Sequence, residues 1–87
     1  MKIKNGFILR EVAGSYLVVA VGEAVKTFKG IINLNETGAF LWKQLEKDST
    51  EEDLVKALTA EYEVAEETAK EDVKLFVQKL QEAQLIK

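Results

Sequence analysis

Three residue types with distinctive chemistry are missing from this 87-residue sequence: cysteine, histidine and proline. Without cysteine, neither a disulfide framework nor a thiolate metal site can form. Without histidine, the commonest general base and the commonest zinc ligand are also absent. An enzyme built from this chain would depend on carboxylates, lysine, tyrosine or serine. We therefore expect binding rather than catalysis, with no catalytic residues, no metal site and no cofactor.

Long apolar runs are missing as well. The longest, Tyr16–Val21, falls far short of the roughly 20 residues that cross a bilayer. Two lysines near the N-terminus precede no long apolar segment, so no signal peptide is predicted. We expect a cytoplasmic protein without membrane association. The length predicts a single domain over residues 1–87.

Charge is unevenly distributed along the chain. The overall net charge is −3, but residues 1–35 are net positive and residues 36–87 are net negative. An acidic domain is poorly suited to binding phosphate backbones. This balance argues against nucleic acid as a partner.

The first half of the sequence predicts three strands. The segment FILREV (Phe7–Val12) and the segment SYLVVAV (Ser15–Val21) flank the turn-prone pair Ala13-Gly14, a pattern typical of a β-hairpin. A weaker apolar segment follows, and Gly30 interrupts it. We interpret Ile31–Leu34 as a short third strand, with Gly30 marking a bend before it.

The second half predicts three helices. Asn35 is a suitable N-cap for the first helix, and Ser49 with Glu52 fits a capping box for the second. The third helix is predicted from about Ala65 to Ala83. The resulting order βββααα indicates an α+β domain in which helices cover one face of a small antiparallel sheet.

An apolar stripe follows the third predicted helix and contains Ala69, Val73, Phe76, Val77 and Leu80. Such a stripe usually packs into a core, although Val77 lies at its margin. Leu75 lies well away from the stripe, about 200° from Val73 around the helix. It is either a singly exposed leucine or a contact residue. Trp42 in the first helix is interpreted as core.

Three blocks of the sequence together resemble the PqqD family. They are LNETGAFLW (Leu34–Trp42), TEEDLVKAL (Thr50–Leu58) and DVKLFVQKL (Asp72–Leu80), followed by the terminal pair Leu85-Ile86. Members of that family have the fold of a recognition element, a domain that binds precursors of ribosomally made, post-translationally modified peptides. One departure is Gln84, where relatives often have glycine.

The resemblance implies a winged-helix-like fold that binds the leader of a precursor peptide and presents it to a separate maturation enzyme, which in this family is often a radical SAM protein. The leader would add as an antiparallel strand to the third strand, with side chains entering a groove beside the third helix. The expected binding residues are Gly30, Ile31, Ile32, Asn33, Leu34, Val73, Leu75, Phe76, Val77 and Leu80. Because an uncovered edge can pair with itself, both a monomer and a weak homodimer are compatible with the sequence.

Other functions remain open at this point. A winged-helix fold could bind DNA. However, the third predicted helix contains five acidic residues and only three lysines, Lys70, Lys74 and Lys79, so its net charge would repel phosphates. A structural adaptor and a small enzyme are the remaining alternatives, and no motif supports the enzyme. Lys26 and Lys29 flank the candidate edge and could attract acidic leader side chains.

Overall fold

A three-stranded antiparallel sheet forms the first half of the computed structural model, which describes residues 1–28 and 30–87. The strands are β1 (Phe7–Val12), β2 (Ser15–Ala20) and β3 (Ile32–Leu34), in the spatial order β1-β2-β3. The predicted hairpin is confirmed, although β2 ends at Ala20 rather than Val21. β3 begins at Ile32 rather than Ile31, and Gly30 lies in a bend as expected.

The hairpin turn explains why β1 and β2 pair in a single register. Ala13 and Gly14 have φ values of 51° and 81°, and two successive positive φ angles give the turn whose twist matches that of the strands. This register places Leu9, Val18 and Ile32 side by side on one face of the sheet. Val18 is fully buried there, so this face looks into the core.

A short helix that the sequence analysis did not anticipate lies between β2 and β3. This helix, α1, spans only Ala24–Thr27 and has no side-chain cap. It is held by tertiary contact: the Phe28 ring packs edge-to-face on Phe7 with centroids 5.3 Å apart. A single turn leaves too few residues for an apolar periodicity to show in the sequence.

Three longer helices follow and cover the inner face of the sheet. They are α2 (Glu36–Gln44), α3 (Glu51–Glu61) and α4 (Glu66–Glu82). The predicted α+β fold is therefore confirmed, and α4 is the third predicted helix. The core combines Val18 with side chains from all three helices, including Trp42, which is completely buried as expected. Within the described residues, none of these helices is long and apolar enough to cross a membrane.

The capping box of α3 lies one residue beyond the predicted position. The Thr50 hydroxyl accepts a hydrogen bond from the Asp53 N–H, and the Thr50 N–H donates to the Asp53 carboxylate, both at 3.0 Å. The predicted pair, Ser49 with Glu52, was wrong. The Ser49 hydroxyl instead donates to the Gln44 carbonyl at the end of α2, at 3.1 Å.

A Schellman motif ends α4 and returns the chain to the core. The Leu85 N–H donates to the Leu80 carbonyl at 2.9 Å, and the Gln84 N–H donates to the Gln81 carbonyl at 3.0 Å. Gln84 has a φ of 59°, a left-handed conformation that favours glycine. Leu85 and Ile86 are buried, and Ile86 forms a β-bridge with Ile3.

The φ of Gln84 predicts that Gln84→Gly stabilises the protein. A left-handed conformation costs a residue with a Cβ roughly 1–2 kcal/mol, and the greater freedom of glycine in the unfolded chain offsets part of this. We expect the free energy of unfolding, measured by urea denaturation, to rise by about 0.5–1 kcal/mol.

The matched control is Gln81→Gly, the same substitution at an exposed position inside α4. It should lower the free energy of unfolding by about 1 kcal/mol, because glycine is a poor helix former. If both variants destabilise the protein equally, the conformation assigned to Gln84 is contradicted.

The capping box of α3 predicts that Thr50→Ala lowers the free energy of unfolding by about 1 kcal/mol, while Thr50→Ser should retain most of the stability because its hydroxyl can still cap the helix.

The backbone N–H of Thr50, followed by its side chain, holds the pKa of the Asp53 carboxyl below its usual 3.8. A lowered pKa means that the Asp53 carboxylate stabilises the fold above its usual titration range and loses this effect as the pH falls. The stability difference between wild type and Asp53→Ala should therefore shrink between pH 5 and pH 2. A difference that is independent of pH would contradict this role.

Candidate functional site

In the sheet that the described residues form, the outer edge of β3 is one of the two open edges, and β1 forms the other. β3 pairs on one side with β2, through Tyr16 with Leu34, Leu17 with Asn33 and Val18 with Ile32. Among residues 1–28 and 30–87, no strand pairs with its other side. An edge strand presents unpaired N–H and C=O groups that can pair with another chain.

A tight corner after β3 keeps this edge open. Asn35 is extended, and its side-chain oxygen accepts the Gly38 N–H at 2.7 Å, which caps α2. A Cβ built on Gly38 would lie only 3.2 Å from that oxygen and 3.3 Å from the Leu34 Cβ. Glycine therefore lets α2 begin directly under the end of β3. The chain turns inward at once and does not continue along the edge.

A groove of about 340 Å³ lies beside the end of β3. Residues from the β3–α2 corner form one side, and residues from α4 form the other. The lining consists of Asn33, Leu34, Asn35, Thr37, Gly38, Leu41, Asp72, Leu75, Phe76 and Lys79. The four α4 residues are spaced i, i+3, i+4 and i+7, which places them on one face of the helix.

Four of the residues expected from the sequence meet in this groove: Asn33, Leu34, Leu75 and Phe76. Leu75 is 58% exposed, whereas Phe76 is only 9% exposed and also belongs to the core. An exposed leucine beside an open strand edge provides apolar surface that a bound chain could cover.

The other expected residues lie elsewhere. Val73 and Val77 are buried and line a separate cleft of about 670 Å³ between α3 and α4, and Leu80 is fully buried in the core. Ile32 packs against the core from the inner face of β3. Gly30 and Ile31 line a shallow depression of about 370 Å³ against α1 and β2.

Several groove residues were not among those expected. Asp72 and Lys79 lie one helical turn before and after Leu75 and Phe76, so a helical projection around Leu75 would have shown that they share its face. Thr37, Gly38 and Leu41 join the groove only because α2 folds beneath β3, which no local pattern shows. Asn35 was predicted mainly as a cap; in the structure it caps α2 and also lines the groove.

The two ends of β3 face opposite ends of α4. Phe7 pairs with Ala20 at the end of the sheet that lies nearer Ile32 than Leu34, and Phe7 also lines a cavity with Ala83 and Gln84 at the end of α4. Phe28, which precedes β3, shares a cavity with Ala83 at the end of α4. β3 and α4 therefore run in opposite directions along the groove.

The polar groups of the site remain in contact with solvent. Within the described part of the chain, no charged or polar residue is buried and no cluster of acidic side chains could hold a metal ion. Lys26 is exposed and pairs with Glu23 at 3.2 Å, while Lys29 lies outside the described residues. The arrangement offers backbone pairing and an apolar groove.

Comparison with known proteins agrees with this architecture. A solved structure described as "TbiB1 in Complex with the TbiA(beta) Leader Peptide" superposes with a TM-score of 0.77 at 23% sequence identity, over 100% of this chain and 95% of that chain. No curated protein matches the sequence significantly. The family model for coenzyme PQQ synthesis protein D (PqqD) matches residues 8–86. Since this match covers almost the whole sequence, the chain belongs to the PqqD family.

Proposed function

We propose that this protein binds the leader segment of a ribosomally made precursor peptide and presents it to a separate modifying enzyme. The observation that carries the proposal is the open edge of β3 next to the groove against α4. Membership of the PqqD family supports it, as does a structural relative that is described in complex with a leader peptide.

Strand addition would use both the open edge of β3 and the groove beside α4. A leader that pairs with β3 would gain backbone hydrogen bonds, each contributing a net ~0.5–1.5 kcal/mol. Since side chains alternate along a strand, every second leader residue would face the groove and cover Leu75 and Leu34. Ordering a disordered peptide costs ~2–5 kcal/mol or more, so we expect reversible binding, in the micromolar range or somewhat tighter.

The reaction itself would belong to the partner. In this family the partner is often a radical SAM enzyme, and a chain without cysteine supplies no thiolate ligands for an iron–sulfur cluster. We place this protein in the cytoplasm, where ribosomal precursors are made, as a binding protein without catalytic activity. In the absence of leader it is a monomer or a weak homodimer, since the edge of β3 can also pair with a second copy.

The backbone of β3 and of the residue before it can be tested by placing proline singly at Ile31, Ile32 and Asn33. Proline lacks the amide hydrogen, and N–H groups alternate between the two edges of a strand. At least one variant should remain folded and bind the leader more weakly. Binding would be measured by calorimetric titration with the leader of a precursor encoded beside this gene.

Alanine at the same three positions is the matched control, because alanine shortens the side chain and retains the N–H. A position that contributes through its backbone should tolerate alanine and not proline. If all three proline variants fold and bind the leader as tightly as wild type, the proposed edge is wrong.

Leu75 tests the groove separately from the edge. Leu75→Ala should leave the melting temperature almost unchanged, because the side chain is 58% exposed, and should weaken leader binding about tenfold through lost apolar contact. Val12→Ala, at a similarly exposed position on β1, is the matched control and should bind normally. Equal leader affinity for both variants would remove Leu75 from the site.

A further inference from the structure

The α4 side of the groove carries opposite charges at its two ends. Asp72 and Lys79 flank Leu75 and Phe76 on one helical face. Among the described side chains, neither Asp72 nor Lys79 has an ion-pair partner within 4.0 Å, whereas Lys70 on another face of α4 pairs with Glu66 at 3.5 Å. The two groove charges are thus available to a ligand.

Charged residues near the two ends of the groove have the same signs as Asp72 and Lys79. Glu36, in the first turn of α2, follows the end of β3, which is the end of the groove nearer Asp72. At the other end, Lys4 and Lys26 lie with Ala83 around a neighbouring cavity. Glu23 and Glu82 reduce the positive charge at that end, because Glu23 pairs with Lys26 and Glu82 lies in the last turn of α4. The groove therefore runs from an acidic end near Asp72 to a weakly basic end near Lys79.

The spacing of the two charges suits an extended peptide. Asp72 and Lys79 are seven residues apart on a helix, or about 10.5 Å along its axis. Residues i and i+4 of a strand point to the same face and lie about 13.5 Å apart. The flexible stem of Lys79 can span the difference. The residue at i+2 would then face Leu75 and Phe76.

The direction of the peptide follows from the direction of β3. A leader that pairs antiparallel with β3 runs parallel to α4, because β3 and α4 run in opposite directions. Its N-terminal part would lie near Asp72 and its C-terminal part near Lys79. The helix dipole at the start of α2 does not oppose this order, since Asn35 caps that end and Glu36 lies in its first turn.

We propose that the leader segment recognised by this protein carries a basic residue, then an apolar residue two positions later, then an acidic residue two positions after that. All three side chains face the groove: the base meets Asp72, the apolar residue covers Leu75 and Phe76, and the acid meets Lys79. This inference rests on the proposed function and adds the sequence class of the ligand and its direction.

Two synthetic peptides of identical composition test the inference. Both contain a central leucine in a strand-forming background of threonine and valine. In the first, lysine precedes the leucine by two positions and glutamate follows it by two; in the second, lysine and glutamate are exchanged. We expect wild type to bind the first peptide about fivefold more tightly at low salt, the range that two exposed ion pairs provide, with the preference reduced in 0.5 M NaCl.

The double variant Asp72→Lys with Lys79→Glu should reverse the preference, since it exchanges the ends of the groove. The control double variant Glu66→Lys with Lys70→Glu exchanges an ion pair on the side of α4 that faces the other cleft. It should retain the wild-type preference. Both double variants retain the net charge, and NMR titration would give the affinities and the sites of binding.

Each contrary result has a distinct meaning. Equal affinity of wild type for the two peptides, with amide shifts at β3, overturns the charge order and leaves the proposed function intact. A preference that survives in the Asp72–Lys79 variant also overturns it. Failure of both peptides to bind overturns the proposed basic–apolar–acidic pattern of the leader. The titration with the natural precursor described above then tests the proposed function on its own.

Discussion

Unpaired backbone groups along the outer edge of β3 are the feature on which the proposed function depends. A sheet edge must be satisfied by water, by another part of the chain or by a second molecule. In this fold the edge is short and lies next to a groove lined by Leu34 and Leu75. An added strand would therefore gain backbone hydrogen bonds and side-chain burial together, and a peptide could bind without a deep, preformed pocket.

The corner between β3 and α2 sets the size of this site. Asn35 ends the strand and begins the helix, and Gly38 allows the first turn of α2 to approach Leu34 closely. A longer connection would carry the chain past the edge and could cover it. One N-cap and one glycine thus leave the edge open while placing Leu41 at the base of the groove.

Local secondary structure could be predicted from the sequence wherever a single sequence pattern was decisive. The Ala13-Gly14 turn, the Asn35 cap and the apolar periodicity of α4 gave the hairpin, the start of α2 and the last helix to within a residue or so. α1 was missed because a single turn held by Phe28 depends on a tertiary contact with Phe7. The capping box was misplaced because Ser49 and Thr50 each have an acidic residue three positions later.

The site was harder to predict than the fold for a related reason. Periodicity shows that Val73, Phe76 and Leu80 share a face of α4, but not which neighbour that face meets. In the structure Val73 and Leu80 are buried, and the groove lies along Asp72, Leu75, Phe76 and Lys79. Leu75 stood out because it broke the pattern. Its partners on α2 depend on how the helices pack against the sheet, which only the folded chain shows.

Amide hydrogen exchange of β3, measured by NMR with and without the leader of a precursor encoded beside this gene, tests the central claim most directly. We predict that leader binding slows exchange at alternate residues of Ile32–Leu34, where outward N–H groups become paired. Unchanged exchange throughout β3, with protection appearing instead in the cleft between α3 and α4, would contradict strand addition at this edge.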